Sequence, residues 1–153
     1  MLQPVTLLAP PRPPTIARVA LVVRVVAGAI VAGFGVGKFT HHDAEAASLD
    51  RWGIPFADAT TYLVGVVELG GGTLLVLGLL TRLVALALAG NFVVAISTAG
   101  VQDGGAVHLG LAPTLLAAML FLVWAGGGER SLDRRLAPRL ERQPRTGSPP
   151  QDR

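Results

Sequence analysis

The sequence predicts an all-α protein, a bundle of four transmembrane helices with both the N and C termini cytoplasmic. The composition is 51% hydrophobic and only 15% charged, whereas soluble domains carry about a quarter charged residues. The mean hydropathy is +0.55. Four apolar runs are each long enough, at about 1.5 Å per residue, to cross a hydrocarbon core about 30 Å thick.

The four predicted helices lie between two terminal segments of different composition. Residues 1–15 contain five prolines, which prevent a long helix, so we expect this segment to be disordered. The membrane domain is expected over residues 16–126 and a basic cytoplasmic tail over residues 127–153. The predicted helices cover about residues 16–37, 60–80, 83–99 and 107–125.

The distribution of Lys and Arg predicts the orientation. If both termini are cytoplasmic, ten arginines lie inside and only Lys38 and Arg51 lie outside, which is the bias that membrane proteins show. We therefore predict a multi-pass protein of the bacterial plasma membrane. The isoelectric point near 10.6 comes mainly from the tail, and we interpret it as a topology and lipid-surface signal, with no nucleic-acid partner.

The second apolar run contains a single carboxylate, Glu68. A charge at that depth costs roughly 2.5 to 3.5 kcal/mol, so Glu68 should face protein or water and have a partner. From the helical rise, Arg24 lies roughly 10 Å and Glu68 roughly 18 Å from the inner boundary, with Asn91 between them in depth. The spacing predicts an Arg24–Glu68 ion pair, with Asn91 hydrogen-bonded nearby.

Two interpretations of this intramembrane site stay open. A buried ion pair often specifies how helices pack without doing chemistry. Alternatively, the side chains form a polar pocket for a small molecule, or Glu68 handles protons.

The loop after the first helix holds weaker candidates. His41 and His42 are predicted on the outer side, with His108 near the outer end of the fourth helix. Imidazole and carboxylate are ordinary metal ligands, so these histidines, with Asp43 and Asp103, are candidates for a metal or quinone-head site. Solvated loop side chains are far commoner, and we predict no metal. The chain has no cysteine, which excludes disulfides and cysteine-ligated clusters.

Residues 43–52 precede two residues that would end a helix, Gly53 and Pro55. A short outer amphipathic helix, with Leu49 and Trp52 facing the interface, and plain loop packing both fit this segment.

Several short motifs follow one another in a distinctive order. They are Arg24, the glycine-rich exit Gly33-x-Gly35-x-Gly37-Lys38, Trp52-Gly53-Ile54-Pro55, Glu68-Leu69-Gly70-Gly71, Gly78-Leu79-Leu80-Thr81-Arg82, and Gly126-Gly127-Gly128-Glu129-Arg130-Ser131-Leu132-Asp133. In this order they resemble the DoxX family over about residues 18–136. The chain departs from the family pattern at Gly127, where many members have proline.

The resemblance implies a small four-helix protein of the cell inner membrane. Similar proteins are associated with quinone-linked oxidation of thiosulfate, or with membrane complexes containing a sulfurtransferase and a superoxide dismutase. Carried over by position, the family motifs nominate Arg24, Lys38, Glu68 and Arg82 as functional residues. Gly53, Pro55 and Gly71 are further motif positions.

Three functions are therefore considered. The first is a membrane subunit of a quinone-linked or redox-stress oxidoreductase complex, which binds quinone or anchors a soluble oxidoreductase. The second is a small proton-coupled carrier or permeability factor that uses Glu68, and the third is a non-catalytic membrane scaffold. The chain has neither a dinucleotide-binding glycine loop nor a haem-ligand pair, so the redox assignment depends on the resemblance. Gly33-x-x-x-Gly37 predicts close helix contact within or between chains, which leaves an oligomer open.

Overall fold

The computed structural model describes residues 13–128 and 131–133. Within these ranges all regular structure is helical. The elements are α1 (Pro14–Thr40), α2 (His42–Arg51), α3 (Ala57–Leu77), α4 (Thr81–Ala95) with the π-helical continuation Ile96–Gly100, and the π-helical segment Val107–Leu111 followed by α5 (Ala112–Ala125).

Four helical stretches are long and apolar enough to cross a membrane. They are Pro14–Thr40, Ala57–Leu77, Thr81–Gly100 and Val107–Ala125. Only 22 to 33% of the most apolar part of each stretch is buried inside the protein, so many apolar side chains face outward, as they do against lipid. The predicted all-α bundle of four membrane-spanning helices is confirmed.

Helix α1 is longer than the sequence predicts. It begins at Pro14, because proline is well suited to the first turn of a helix, where its missing N–H is not needed. It ends at Thr40, three residues beyond the predicted end at residue 37. Most of the predicted disordered segment, 1–15, and most of the predicted basic tail, 127–153, lie outside the described residues.

Helix α2 lies in the connection between the first two spans. Leu49 is only 5% exposed, so the expectation that it faces the membrane interface is wrong: it packs inward because α2 folds against α3. Trp52 also makes a tertiary contact. Its indole Nε1 donates a hydrogen bond to Asp103 Oδ2 at 2.9 Å, which joins the end of α2 to the turn that precedes α5.

Glycines bring the antiparallel helices α1 and α3 into backbone contact. A Cβ atom at Gly28 would lie 2.8 Å from the carbonyl oxygen of Gly72, and a Cβ atom at Gly35 would lie 2.7 Å from Cα of Leu69. Only residues without a side chain allow this approach. These contacts set the register of the two helices and place Arg24 beside Gly78, in the turn after α3.

The bundle has two ends. The α2 side carries α2 and the turn between the last two spans, and the termini side carries the start of α1, the α3–α4 turn and the chain after α5. Between them lie four completely buried side chains, one from each span, which we call the apolar layer. They are Val31, Leu75, Leu88 and Met119.

Candidate functional site

Glu68 lies near the middle of α3 and is buried, with 7% of its surface exposed. Its Oε1 atom accepts a hydrogen bond from Asn91 Nδ2 on α4 at 2.9 Å, as the sequence predicts. Its Oε2 atom is buried and has no hydrogen-bond partner among the described residues. The carboxylate is therefore held in place through one oxygen and free to bind through the other.

Two further charged side chains lie near this carboxylate on the α2 side. Lys38, in the last turn of α1, forms an ion pair with Glu45 of α2, with Nζ and Oε2 2.5 Å apart. Lys38 packs one turn from Glu68 along α3, where a Cβ atom at Gly65 would lie 3.0 Å from Cβ of Lys38. We call Lys38, Glu45, Glu68 and Asn91 the Glu68 cluster.

Arg24 is not part of this cluster. It is 2% exposed, and its Nη1 atom donates a hydrogen bond to the carbonyl oxygen of Gly127 at 3.1 Å. The structure does not contain the predicted ion pair between Arg24 and Glu68. The depth estimate was wrong. Arg24 lies ten residues after the start of α1, but it is level with the turn at Gly78. Glu68 lies roughly 15 Å from that turn along α3, at about 1.5 Å per residue.

Arg24 instead belongs to an assembly on the termini side, organised by Asp133. The carboxylate of Asp133 accepts hydrogen bonds from the backbone N–H of Leu80 at 2.7 Å and of Thr81 at 3.1 Å. Its own backbone N–H donates to the carbonyl oxygen of Gly78 at 3.1 Å. Asp133 thus caps the N-terminus of α4 from a distant part of the chain.

This termini-side cap consists of Arg24, Gly78, Thr81, Gly127 and Asp133. It explains why a Gly78–Arg82 motif and a Gly126–Asp133 motif occur together, since each supplies the hydrogen-bond partners of the other. Arg82 lies beside it, with Nη2 3.4 Å from the carbonyl oxygen of Trp124.

The remaining motif positions occupy turns and close contacts. Gly53 has a φ of +73°, which lets the chain leave α2 without steric strain. A Cβ atom at Gly71 would lie 3.3 Å from Leu88 Cδ2. The carbonyl oxygen of Pro55 accepts a hydrogen bond from Thr60 Oγ1 at 3.0 Å at the start of α3.

The three histidines are not brought together. His42 Nε2 lies 3.4 Å from Asp58 Oδ1, whereas the ring of His108 packs edge-on against Trp52, with centroids 5.6 Å apart. His41 is exposed. Within residues 13–128 and 131–133, no group of three or more His, Asp or Glu side chains is placed to hold a metal ion.

Sequence reasoning missed two acidic residues that the structure makes central. In the sequence, Glu45 is one of several acidic residues in a polar loop. Its contact with Lys38 forms because the chain turns at His41. Asp133 does carry a signal, because it ends a family-like motif, but its partners are some fifty residues away in sequence.

Comparison with known proteins agrees with this architecture. The family model described as DoxX matches residues 19–101. An uncharacterized membrane protein of Mycobacterium tuberculosis, Rv3486, is 37% identical, in a match that covers 76% of this chain and 80% of the relative. No solved structure matches the chain significantly. The match to the family and the similarity of this relative show that the chain belongs to the DoxX family of integral membrane proteins.

Proposed function

We propose that this DoxX-family protein is a membrane subunit of a quinone-linked oxidoreductase complex in the bacterial plasma membrane. One observation carries the proposal: Glu68 is buried among apolar helices with one oxygen bonded to Asn91 and the other without a partner. A buried polar atom left unbonded costs about 1 to 3 kcal/mol. Such an atom in a membrane bundle favours a ligand or a proton as its missing partner.

The residues of the Glu68 cluster fit a quinone head group. The amide of Asn91 and the ammonium group of Lys38 would hold a carbonyl oxygen, because both are hydrogen-bond donors. Oε2 of Glu68 would accept a hydrogen bond from a hydroxyl group of the reduced form. The quinone would supply two-electron redox chemistry coupled to protons, while these side chains orient its head group and hold a proton at Glu68.

In this proposal the electrons come from a soluble oxidoreductase bound at the membrane surface. The support is the family resemblance, which includes membrane complexes with a sulfurtransferase or a superoxide dismutase. The similarity to a mycobacterial membrane protein supports a bacterial membrane.

Quinone content is the first test. The protein is purified from native membranes in mild detergent, and the extracted quinone is quantified per chain for the unmodified protein, Glu68→Gln and Asn91→Leu. Asp50→Asn is the matched control, because Asp50 is an exposed carboxylate on α2. We expect stoichiometric quinone in the unmodified protein and the control, and loss of quinone in the two site variants. Equal quinone in all four samples, or none above the lipid background, would contradict the proposal.

Partner identification is the second test. The same purification, followed by mass spectrometry, should recover a soluble oxidoreductase, sulfurtransferase or superoxide dismutase in a fixed ratio to the chain. Recovery of the chain alone would exclude a complex that is stable in detergent.

The unbonded oxygen of Glu68 also fits a second function, a proton-coupled carrier. A carrier predicts uptake of a solute into vesicles that requires a pH gradient and is abolished by Glu68→Gln, without bound quinone. A non-catalytic scaffold predicts that Glu68→Gln changes neither quinone content nor transport.

A further inference from the structure

We propose that Glu68 exchanges protons with the α2 side of the membrane only, through Lys38 and Glu45. This inference rests on the proposed function and deepens it, because it assigns the side on which the same site takes up or releases protons.

The first step is that Glu68 needs a relay to reach water. Only 7% of its surface is exposed, and its unbonded oxygen Oε2 is fully enclosed. A carboxylate that solvent does not reach can exchange protons only through neighbouring groups that carry or bind protons. The polar groups that adjoin Glu68, and the side of the bundle on which they lie, therefore decide its route to solvent.

On the α2 side, a pair of partly exposed charged side chains lies close to Glu68 along the bundle. A Cβ atom at Gly65, one turn from Glu68 toward the α2 side, would lie 3.0 Å from Cβ of Lys38, and Lys38 contacts Glu45 directly through Nζ and Oε2. Their side chains are 17% and 33% exposed, respectively. Lys38 thus lies about one turn of α3 from Glu68, and both side chains are partly exposed, so the pair supplies proton-binding groups between the buried carboxylate and the solvent at this end of the bundle.

On the termini side, no buried polar side chain among the described residues lies between Glu68 and the termini-side cap. The apolar layer of Val31, Leu75, Leu88 and Met119 is completely buried, and apolar side chains offer no site for a proton. The buried polar side chains described beyond this layer are Arg24, Thr81 and Ser131. Arg24 and Thr81 belong to the termini-side cap, which begins roughly 15 Å from Glu68 at about 1.5 Å per residue.

The charges that face Glu68 are few. Helix α1 contributes Lys38, and α2 contributes Glu45. Helix α4 contributes the neutral amide of Asn91, and α5 contains no titratable residue. Lys38 pairs with Glu45 and packs one turn of α3 from Glu68, so proton movement at Glu68 is coupled to the Lys38–Glu45 pair rather than to the termini-side cap.

The functional consequence is directional. A quinone that is reduced at this site by two electrons from the soluble oxidoreductase takes up two protons, and with one-sided exchange it takes them from the α2 side. If the termini are cytoplasmic, as the arginine distribution predicts, this is the outer side. A carrier must open its site to both sides in turn, so one-sided exchange also separates the two candidate functions.

Infrared spectroscopy of sealed proteoliposomes tests this inference. The signal of Glu68 is the difference between the unmodified protein and Glu68→Gln in the carboxyl and carboxylate stretching regions. Preparations enriched in each orientation are compared, with the fraction facing outward measured by impermeant thiol labelling of Ser48→Cys, which is feasible because the chain has no other cysteine. The external pH is then stepped between acidic and alkaline values.

We expect the Glu68 signal to follow the external pH at once when the α2 side faces outward. When the termini side faces outward, it should change only after an ionophore has equalised the internal pH. The Lys38→Met, Glu45→Gln double variant should respond at least tenfold more slowly, and the matched double variant Arg51→Met, Asp50→Asn, which alters exposed charges on α2, should not.

A prompt response from the termini side, an unaltered rate in the Lys38→Met, Glu45→Gln variant, or a signal that never changes with pH would each overturn the inference. None of these outcomes depends on quinone. If quinone is retained but proton exchange is two-sided, the inference fails and the proposed function stands. If proton exchange is one-sided but no quinone is bound, the inference stands and the proposed function fails.

Discussion

The carboxylate of Asp133 caps helix α4 at Thr81, where Oδ2 accepts hydrogen bonds from both the backbone N–H and the side-chain hydroxyl at 3.1 Å. Fifty-two residues separate the two in sequence, so this cap ties the chain after α5 to the turn between α3 and α4. Four of the family-like motif residues, Arg24, Gly78, Thr81 and Asp133, meet there, together with Gly127, where the chain departs from the family pattern. Their arrangement indicates a structural role for this part of the motif, separate from the Glu68 cluster.

Removal of the cap should destabilise the bundle. We expect Asp133→Ala to lower the free energy of unfolding by about 1 to 2 kcal/mol, because the N–H groups of Leu80 and Thr81 lose their acceptor. Thermal unfolding in detergent, followed by circular dichroism, measures the change. Asp50→Ala, at an exposed position on α2, is the control and should leave the transition unchanged; equal effects of the two substitutions would show that Asp133 does not act as a cap.

Gly78 should not tolerate a side chain. Its φ is +72°, and a Cβ atom there would overlap the guanidinium group of Arg24. We expect Gly78→Ala to destabilise the protein by about 1 to 3 kcal/mol through backbone strain and overpacking.

A double-mutant cycle separates these two causes. In an Arg24→Ala background the overlap with the guanidinium group is absent, so the additional effect of Gly78→Ala should shrink to the backbone strain and the close contact with Cα of Ser131, 3.0 Å from the added Cβ atom. An unchanged effect would mean that Arg24 does not pack against this turn.

The register of α1 and α3 can be tested with two glycines on the same helix. Gly35 faces the backbone of Leu69, whereas nothing lies within 4 Å of a Cβ atom built at Gly33. Gly35→Ala should therefore destabilise the bundle by about 1 to 3 kcal/mol through overpacking. Gly33→Ala should be neutral, or stabilising by up to about 1 kcal/mol, because alanine favours helix more than glycine.

The reverse order of the two stabilities would show that α1 presents its other face to α3. A strong effect of Gly33→Ala would point instead to a contact between chains at that face.

The hydrogen bond between Asn91 and Glu68 should appear as a coupling energy. Asn91→Leu removes the donor and leaves both oxygens of Glu68 unbonded, so we expect a loss of about 1 to 3 kcal/mol. Replacing both residues with leucine should be less damaging than the single change, because no buried polar atom then lacks a partner. Chemical unfolding of the two single variants and the double variant measures the coupling; additive effects would contradict a direct bond.

The predicted orientation can be tested in intact cells. Ser48 lies on α2, and Ser148 belongs to the C-terminal tail, beyond the described residues. With both termini cytoplasmic, a membrane-impermeant maleimide should label Ser48→Cys and not Ser148→Cys, because positive charge is retained on the cytoplasmic side. The opposite labelling pattern would invert the assignment of the α2 side to the outside.

The sequence alone determined the fold class and the four membrane spans, and it showed that few polar residues lie inside these spans. Apolar length and composition suffice to predict membrane helices. The sequence also placed Asn91 near Glu68, since Asn91 falls between Arg24 and Glu68 in estimated depth. The family motifs could be recognised in order without knowing which residues touch.

Tertiary structure decided which polar residues meet. Arg24 belongs to the termini-side cap and does not pair with Glu68. The contacts of Gly28 with Gly72 and of Gly35 with Leu69 set the position of α1 along α3. The lengths of the two helices do not predict this position. Glu45 joins the Glu68 cluster because the chain turns between α1 and α2 and brings α2 back over α3. Helix register and chain reversal arise from contacts between distant segments, and the spacing of residues within one helix does not specify them.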